Sequence, residues 1–231
     1  MLDYLLDVIM GNECNVECDY CTITRKMRRD NLTSSQIAGA LEQGAKDGLT
    51  AVSFGGGEPT IRKDLVPLVL QARRLGYKTI KIQSNGLMYA YRDFVESLVK
   101  AGANQFNISI MGRDATAYRN IMGKPEYFGM VARGVSNLMA VKARIVADVI
   151  MKNDTHAQLS DTIGTFADLG VESFVLWLVS LSDRNKDNLE SLVPVGEMRP
   201  DIYRTFELAK RRGISVVSRH IPLCMLSDYP E

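Results

Sequence analysis

No uninterrupted apolar run reaches the about 18–20 residues that a membrane-spanning helix needs, and the stretch Met1 to Met10 has neither a basic region nor a small-residue cleavage site. A spanning helix and a signal peptide are therefore not expected, and the reading is a cytoplasmic protein without a membrane partner. Charge of one sign is also lacking: Lys plus Arg total 28 against 27 for Asp plus Glu, a formal net charge of +1. A polyanionic partner such as nucleic acid has no electrostatic support in that balance. Low-complexity segments and Pro/Ser-rich linkers are absent, so the 231 residues, 46% of them hydrophobic, read as one domain with one sizeable core. Cysteine is scarce, with four in all, but three of them fall within eight residues. Such clustering in a reducing compartment points to metal ligation rather than to structural disulfides.

Short apolar runs alternate with amphipathic stretches along the chain. Strands are expected at about residues 4–10, 51–54, 78–83, 105–110, 144–151, 173–179 and 214–219. Helices are expected at 33–47, 65–75, 93–101, 127–141, 155–169 and 200–212. The first opens on the capping-box pattern Thr33-x-x-Gln36, and most end on a glycine: Gly48, Gly76, Gly102, Gly170 or Gly213. Strand–helix alternation of this kind implies an α/β fold with a parallel sheet, whose ligands sit at the carboxyl ends of the strands. About six repeats fall short of a closed eight-unit barrel, so a partial, TIM-like (β/α)6 barrel is expected over residues 1–219, with 220–231 as a tail. The one long polar connection, 180–198, has the character of a lid.

The first strand leads into Cys14-Asn15-Val16-Glu17-Cys18-Asp19-Tyr20-Cys21, a C-x3-C-x2-C loop at the carboxyl end. Thiolates suit iron–sulfur clusters and zinc alike. Structural zinc sites use two separated ligand pairs, and the only other cysteine, Cys224, is far along the chain. Three thiolates on a four-iron cluster leave one iron open to an outside ligand.

This constellation resembles the radical S-adenosylmethionine (SAM) superfamily, whose motif C-x3-C-x-aromatic-C is matched by Cys14, Cys18 and Cys21 with Tyr20 in the aromatic position. Within that superfamily the chain resembles the molybdenum-cofactor cyclisation enzymes and the peptide-maturing enzymes that carry an auxiliary cluster. The resemblance implies a [4Fe–4S] cluster whose open iron binds SAM. It implies reductive cleavage of SAM to methionine and a 5′-deoxyadenosyl radical, which takes hydrogen from a small-molecule or peptide substrate, and a flavodoxin- or ferredoxin-type electron donor. No side chain need then act as a general base, which accords with only two histidines. A zinc-binding or catalytically idle regulatory protein on the same scaffold is the alternative.

The same resemblance assigns the SAM contacts. Gly56, Gly57, Glu58 and Pro59 match the GGEP turn after the second strand, which holds the SAM amino group. Ser84 and Asn85 match a turn after the third strand, although a turn-forming Asn-Gly explains Asn85 by itself. Ser109 matches a serine on the fourth strand that bonds the ribose or carboxylate of SAM, with Asn107 on the same face and Met111-Gly112 where many relatives have an acid or histidine. Asn153, after the fifth strand, either approaches the adenosine or caps the next helix. Tyr20 lies against adenine or braces the loop. The segment from Asp114 to Gly123 reads as a substrate-side loop, Trp177 as core packing, and the basic run Arg25 to Arg29 as a solvated face that could meet an acidic electron donor. Cys224 is open to three readings: a core-facing thiol, a substrate-facing participant, or the start of a cluster-bearing extension. His220 reads as a polar residue at the barrel end.

Overall fold

The computed structural model describes residues 5–179, 189 and 192–227. Its seven strands are β1 (Leu5–Ile9), β2 (Ala51–Gly55), β3 (Thr79–Ser84), β4 (Gln105–Ile110), β5 (Arg144–Met151), β6 (Ser173–Leu178) and β7 (Ser215–Arg219). Its helices are α1 (Ser34–Lys46), α2 (Leu65–Arg74), α3 (Arg92–Ala101), α4 (Ala115–Met122), α5 (Glu126–Ala140), α6 (Leu159–Asp168) and α7 (Val195–Arg212). The strands follow one another in chain order. The pairs β1–β2, β2–β3 and β3–β4 are parallel, as are β5–β6 and β6–β7. This is the α/β architecture expected.

Two compact units divide the chain. The first comprises Met1–Glu17, Ile23–Ile108 and Met130–Ile145; the second comprises Cys18–Thr22, Ser109–Gly129 and Val146–Glu231. In the first, β2 is buried along its whole length, and β3 alternates buried and half-buried positions. Phe54, Ile80, Ile82, Val95, Leu98 and Phe106 fill its core, with the Tyr89 and Phe106 rings edge to face at 5.5 Å. In the second, Phe128 stands edge to face between Tyr118 and Phe166, at 5.7 and 6.3 Å.

Local chemistry sets the ends. Thr33 accepts from the Gln36 N–H while Gln36 accepts from the Thr33 N–H, the expected capping box of α1. All five expected terminating glycines have positive φ. Three expectations change. The segment after Asp114 is not a loop but helix α4, because the Asp114 carboxylate caps it by accepting from the N–H groups of Thr116 and Ala117. The helix expected from Thr155 begins at Leu159, behind a 3-10 turn over His156–Gln158. There Thr155 Oγ1 accepts from the Lys152 N–H and donates to the Ile150 carbonyl, folding the chain back on itself. Helix α7 begins at Val195 rather than at Pro200, its first turn anchored by the fully buried Met198. Residues 195–198 of the expected lid are thus helical, and 180–188, 190 and 191 lie outside the described residues.

Candidate functional site

In the first unit, the chain leaving β1 is zipped by backbone hydrogen bonds to the glycine turn leaving β2. Met10 N–H donates to Gly55 O at 2.9 Å, Gly57 N–H to Gly11 O at 2.8 Å, and Glu58 N–H to Glu13 O at 2.8 Å. The closeness of this approach accounts for the glycines. A Cβ at Gly56, where φ is +123°, would stand 2.3 Å from Gly11 O, and one at Gly57 would stand 2.1 Å from Glu13 O. The segment that carries Cys14 is therefore held in place by the turn that the sequence marks as a ligand cradle.

Glu58 is buried at 2% exposure and acts as a hub. Its Oε1 accepts from the Thr60 N–H at 3.0 Å, the Thr60 hydroxyl and the Ser84 hydroxyl at 2.8 Å. Its Oε2 accepts from the Asn85 N–H at 2.7 Å. Burial pushes the carboxyl above its ordinary range, and these four donors oppose the shift. Each carboxylate oxygen has about two acceptor positions; Oε1 is crowded by three donors, while Oε2, with one, keeps a position open. Pro59 is buried at the start of the next 3-10 turn. Asn85 makes the expected turn, its Oδ1 accepting from the Leu87 N–H at 3.1 Å before Gly86 at φ +82°. It also donates from Nδ2 to Asn15 Oδ1 at 2.8 Å, so the end of β3 touches the loop between Cys14 and Cys18.

Four side chains complete this framework: Arg25 and Arg28 of the basic run, and Asn31 and Arg62, which sequence reasoning missed. Arg28 donates to the carbonyls of Cys14 at 3.0 Å and Val16 at 2.6 Å, and Arg25 forks onto Glu17. The basic run is thus not simply a solvated face: Arg28 grips the cysteine loop, while Arg25 pairs with Glu17 at the surface and Lys26 and Arg29 stay exposed. Asn31 Oδ1 accepts from the N–H groups of Asn12 and Glu13 at 3.1 Å. Arg62 donates to the carbonyls of Met10 and Leu32. Its guanidinium also binds Asp64, whose carboxyl it holds below the ordinary range.

The second unit holds Cys18, Tyr20 and Cys21. Cys21 N–H donates to Cys18 O at 3.1 Å, closing a turn, and Asp19 N–H donates to Ile121 O at the end of α4 at 3.2 Å. Tyr20 is half-buried and donates its hydroxyl to Met111 Sδ at 3.5 Å. Burial first, then the neighbouring Cys18 and Cys21 sulfurs, raises its hydroxyl well above the ordinary tyrosine range and keeps it neutral. Lys152, 3% exposed at the end of β5, reaches Asp19 and Asp154, each at 2.8 Å. Burial alone would lower its pKa, but the two aspartates outweigh that and hold it above the ordinary lysine value. A lysine directly after the largely apolar run from Ile145 to Met151 was the sequence signal for a charge held there. Asn153 is exposed and caps nothing: the turn beside it is led by Thr155 and α6 by Gln158. Ser109 is half-buried on β4, and Asn107 is buried and accepts from the Gln105 amide.

Trp177 is only half-buried, which corrects the core-packing expectation. Cys224 is exposed in a 3-10 turn whose buried member is Leu226, so the core-facing reading fails. Within neither unit do three His, Cys, Asp or Glu side chains among the described residues gather into a metal site. The cysteine loop nonetheless suits a soft metal cluster. Its three thiols are half-buried and form no disulfide, and its backbone is tied down on the Cys14 side by Arg28 and the glycine turn and on the Cys18 side by the end of α4.

Residues 8–166 match the family model described as "Radical SAM superfamily". Among curated relatives, the chain is 26% identical over 195 residues to a probable GTP 3′,8-cyclase of Saccharolobus solfataricus, covering 81% of this chain and 62% of that protein. It is 29% identical over 119 residues to the corresponding Sulfolobus acidocaldarius protein, covering 51% and 37%. The chain thus spans less than two thirds of these relatives. Among solved structures, Streptococcus suis SuiB bound to the precursor peptide SuiA superposes with a TM-score of 0.81 at 16% identity, over 98% of this chain and 50% of SuiB. The structure of anSMEcpe with bound AdoMet gives 0.75 at 16% identity, over 94% and 63%. These likenesses establish the fold. Among the described residues no helix is long and apolar enough to cross a membrane.

Proposed function

The chain belongs to the radical SAM superfamily, and from that premise we propose that Cys14, Cys18 and Cys21 ligate a [4Fe–4S] cluster with one iron open to SAM. The observation that carries this reading is the zipper of Gly11 and Glu13 onto Gly57 and Glu58 at the carboxyl ends of β1 and β2, which fixes the start of the cysteine loop against the glycine turn. Bound together, the cluster and SAM supply one-electron cleavage of the sulfonium to a 5′-deoxyadenosyl radical that takes a hydrogen atom from a small-molecule or peptide substrate.

The chain's own residues bind and orient. Gly56 and Gly57 leave room at the turn, Pro59 stiffens its exit, and Glu58 offers its remaining Oε2 acceptor position to the SAM amino group while holding Ser84 and Asn85 in place. Tyr20, Ser109 and Asn153 are the residues assigned to the nucleoside of SAM, and the Asn15–Asn85 contact ties the start of the cysteine loop to the end of β3. Lys26 and Arg29, exposed beside the loop, suit the acidic surface of a flavodoxin- or ferredoxin-type electron donor. The relatives divide over substrate, the curated ones being named for a nucleotide and SuiB having been solved with a peptide, so the reading keeps both classes. Its setting is the cytoplasm, where thiols stay reduced.

The test is anaerobic reconstitution with iron and sulfide, followed by dithionite and SAM. The expected result is a brown protein that releases 5′-deoxyadenosine and methionine, with both colour and product lost in Cys18→Ala. A colourless, zinc-loaded protein that releases neither overturns the proposal in favour of a non-catalytic metal protein.

A further inference from the structure

The carboxyl ends of β6 and β7 carry side chains to which the proposed function gives no role. Trp177, next to last in β6, is the register partner of Arg219, the last residue of β7. Register partners in a sheet project from the same face. On β7 that face is uncovered: Ser215, Val217 and Arg219 are exposed, Val217 at 46%, while Val216 and Ser218 between them are partly covered. Parallel sheets are ordinarily covered on both faces. An open face at the carboxyl end of barrel strands is where such folds take their ligands.

The group on this face is fixed rather than loose. The Trp177 indole N–H donates to Asp148 Oδ1 at 3.0 Å, and Asp148 is 5% exposed on β5. The Arg219 guanidinium lies 5.3 Å above the indole ring, and the His220 imidazole is centred 5.2 Å from it at a 38° tilt. His220 adopts φ +66°, left-handed backbone that a residue with a β-carbon seldom takes. That turn brings its ring back onto the indole that Arg219 also meets.

Its place over the indole sets Arg219 apart from other cations of the second unit that have no carboxylate partner among the described residues, such as Arg119 and Arg211. In the same unit Arg113, Lys152, Arg204 and Arg212 each pair with an aspartate. Arg219 has no carboxylate partner among the described residues, and its forked donors are shaped for one. We propose that Trp177, Arg219 and His220 form a subsite for an oxyanion, a carboxylate or phosphate group, carried by the substrate. The subsite rests on the radical-enzyme reading only in calling its ligand the substrate.

Trp177 is the chain's only tryptophan, so its emission reports on this subsite alone. The full chain is titrated with inorganic phosphate and with N-acetylglycine, ionic strength being held constant with chloride. The expected result is a saturable change in emission. Phosphate alone producing it identifies a phosphate subsite, N-acetylglycine alone a carboxylate subsite, and both an oxyanion subsite without preference. Arg219→Met should weaken the binding about ten-fold, the loss of one charge-assisted hydrogen bond, and Arg219→Lys less, with circular dichroism confirming that both fold. No saturation with either anion, the same change with chloride, or unaltered affinity in Arg219→Met overturns the proposal. The readout needs neither cluster nor SAM, so its failure leaves radical generation standing, and failure of SAM cleavage leaves the subsite standing.

Discussion

Replacing Glu58 with glutamine keeps the shape of the hub and removes its charge. The carboxylate accepts from four groups, all of the first unit: the Thr60 N–H and hydroxyl, the Ser84 hydroxyl and the Asn85 N–H. An amide must turn its NH2 toward one side. Facing Asn85 it leaves a buried N–H without an acceptor, which costs about 1–3 kcal/mol. Facing Thr60 it meets another fixed N–H and fares worse. The bonds left on the remaining oxygen weaken from charge-assisted to neutral, about 1 kcal/mol each. Relief from burying an ionised carboxylate returns several kcal/mol. The net expectation is a loss of about 2 kcal/mol, or about 4–8 °C in Tm for a chain of this size.

The pH dependence supplies a second reading of the same variant. Burial raises the folded-state pKa of Glu58 above its ordinary value of 4.5, so the folded protein holds this proton more tightly than the unfolded chain does. The contribution of Glu58 to stability is therefore largest in acid, falls as pH rises from 4.5 through the raised folded value, and is level beyond it. Glu58→Gln should abolish that slope. Thermal melts across this range check both expectations. A Glu58→Gln protein with unchanged Tm and an unchanged pH profile would refute the hub.

Gly57→Ala should destabilise by about 1–3 kcal/mol, since its Cβ would meet the Glu13 carbonyl rather than a side chain that can move; denaturant melts check it. Arg28→Met should cost about 1–3 kcal/mol, because it removes the donors to the Cys14 and Val16 carbonyls. Amide hydrogen exchange should then quicken at residues 12–17 while β5–β7 are unaffected. Lys152→Met should cost about 1–2 kcal/mol, tempered because Asp19 and Asp154 are about two-fifths exposed. Proteolysis within residues 18–22 should speed up, and adding Asp19→Asn should recover part of the loss.

Much of this was legible in the chain. Seven strands and most helix ends followed from periodicity, capping residues and glycines, because those signals are local. The spacing of Cys14, Cys18, Cys21 and Tyr20 identified the family, since spacing is itself written in sequence. Asp114 was equally legible as a cap, yet a family expectation of a loop obscured it. Met198 and Pro200 were not: a proline near a helix start reads as the start unless the burial of the preceding turn is known.

The sequence by itself determined the family, because three cysteines at fixed spacing and a glycine turn after the next strand are properties of the chain's order. Tertiary structure decided what each residue does there. Arg28 and Arg29 stand side by side in one basic run, yet one grips two carbonyls of the cysteine loop and the other faces solvent. Glu58 proved to be a four-donor hub, Gly57 a clearance for Glu13, and Lys152 the counter-charge of Asp19 from 133 residues away. Such roles depend on which distant backbone comes within a few ångströms, and packing fixes that while local pattern does not.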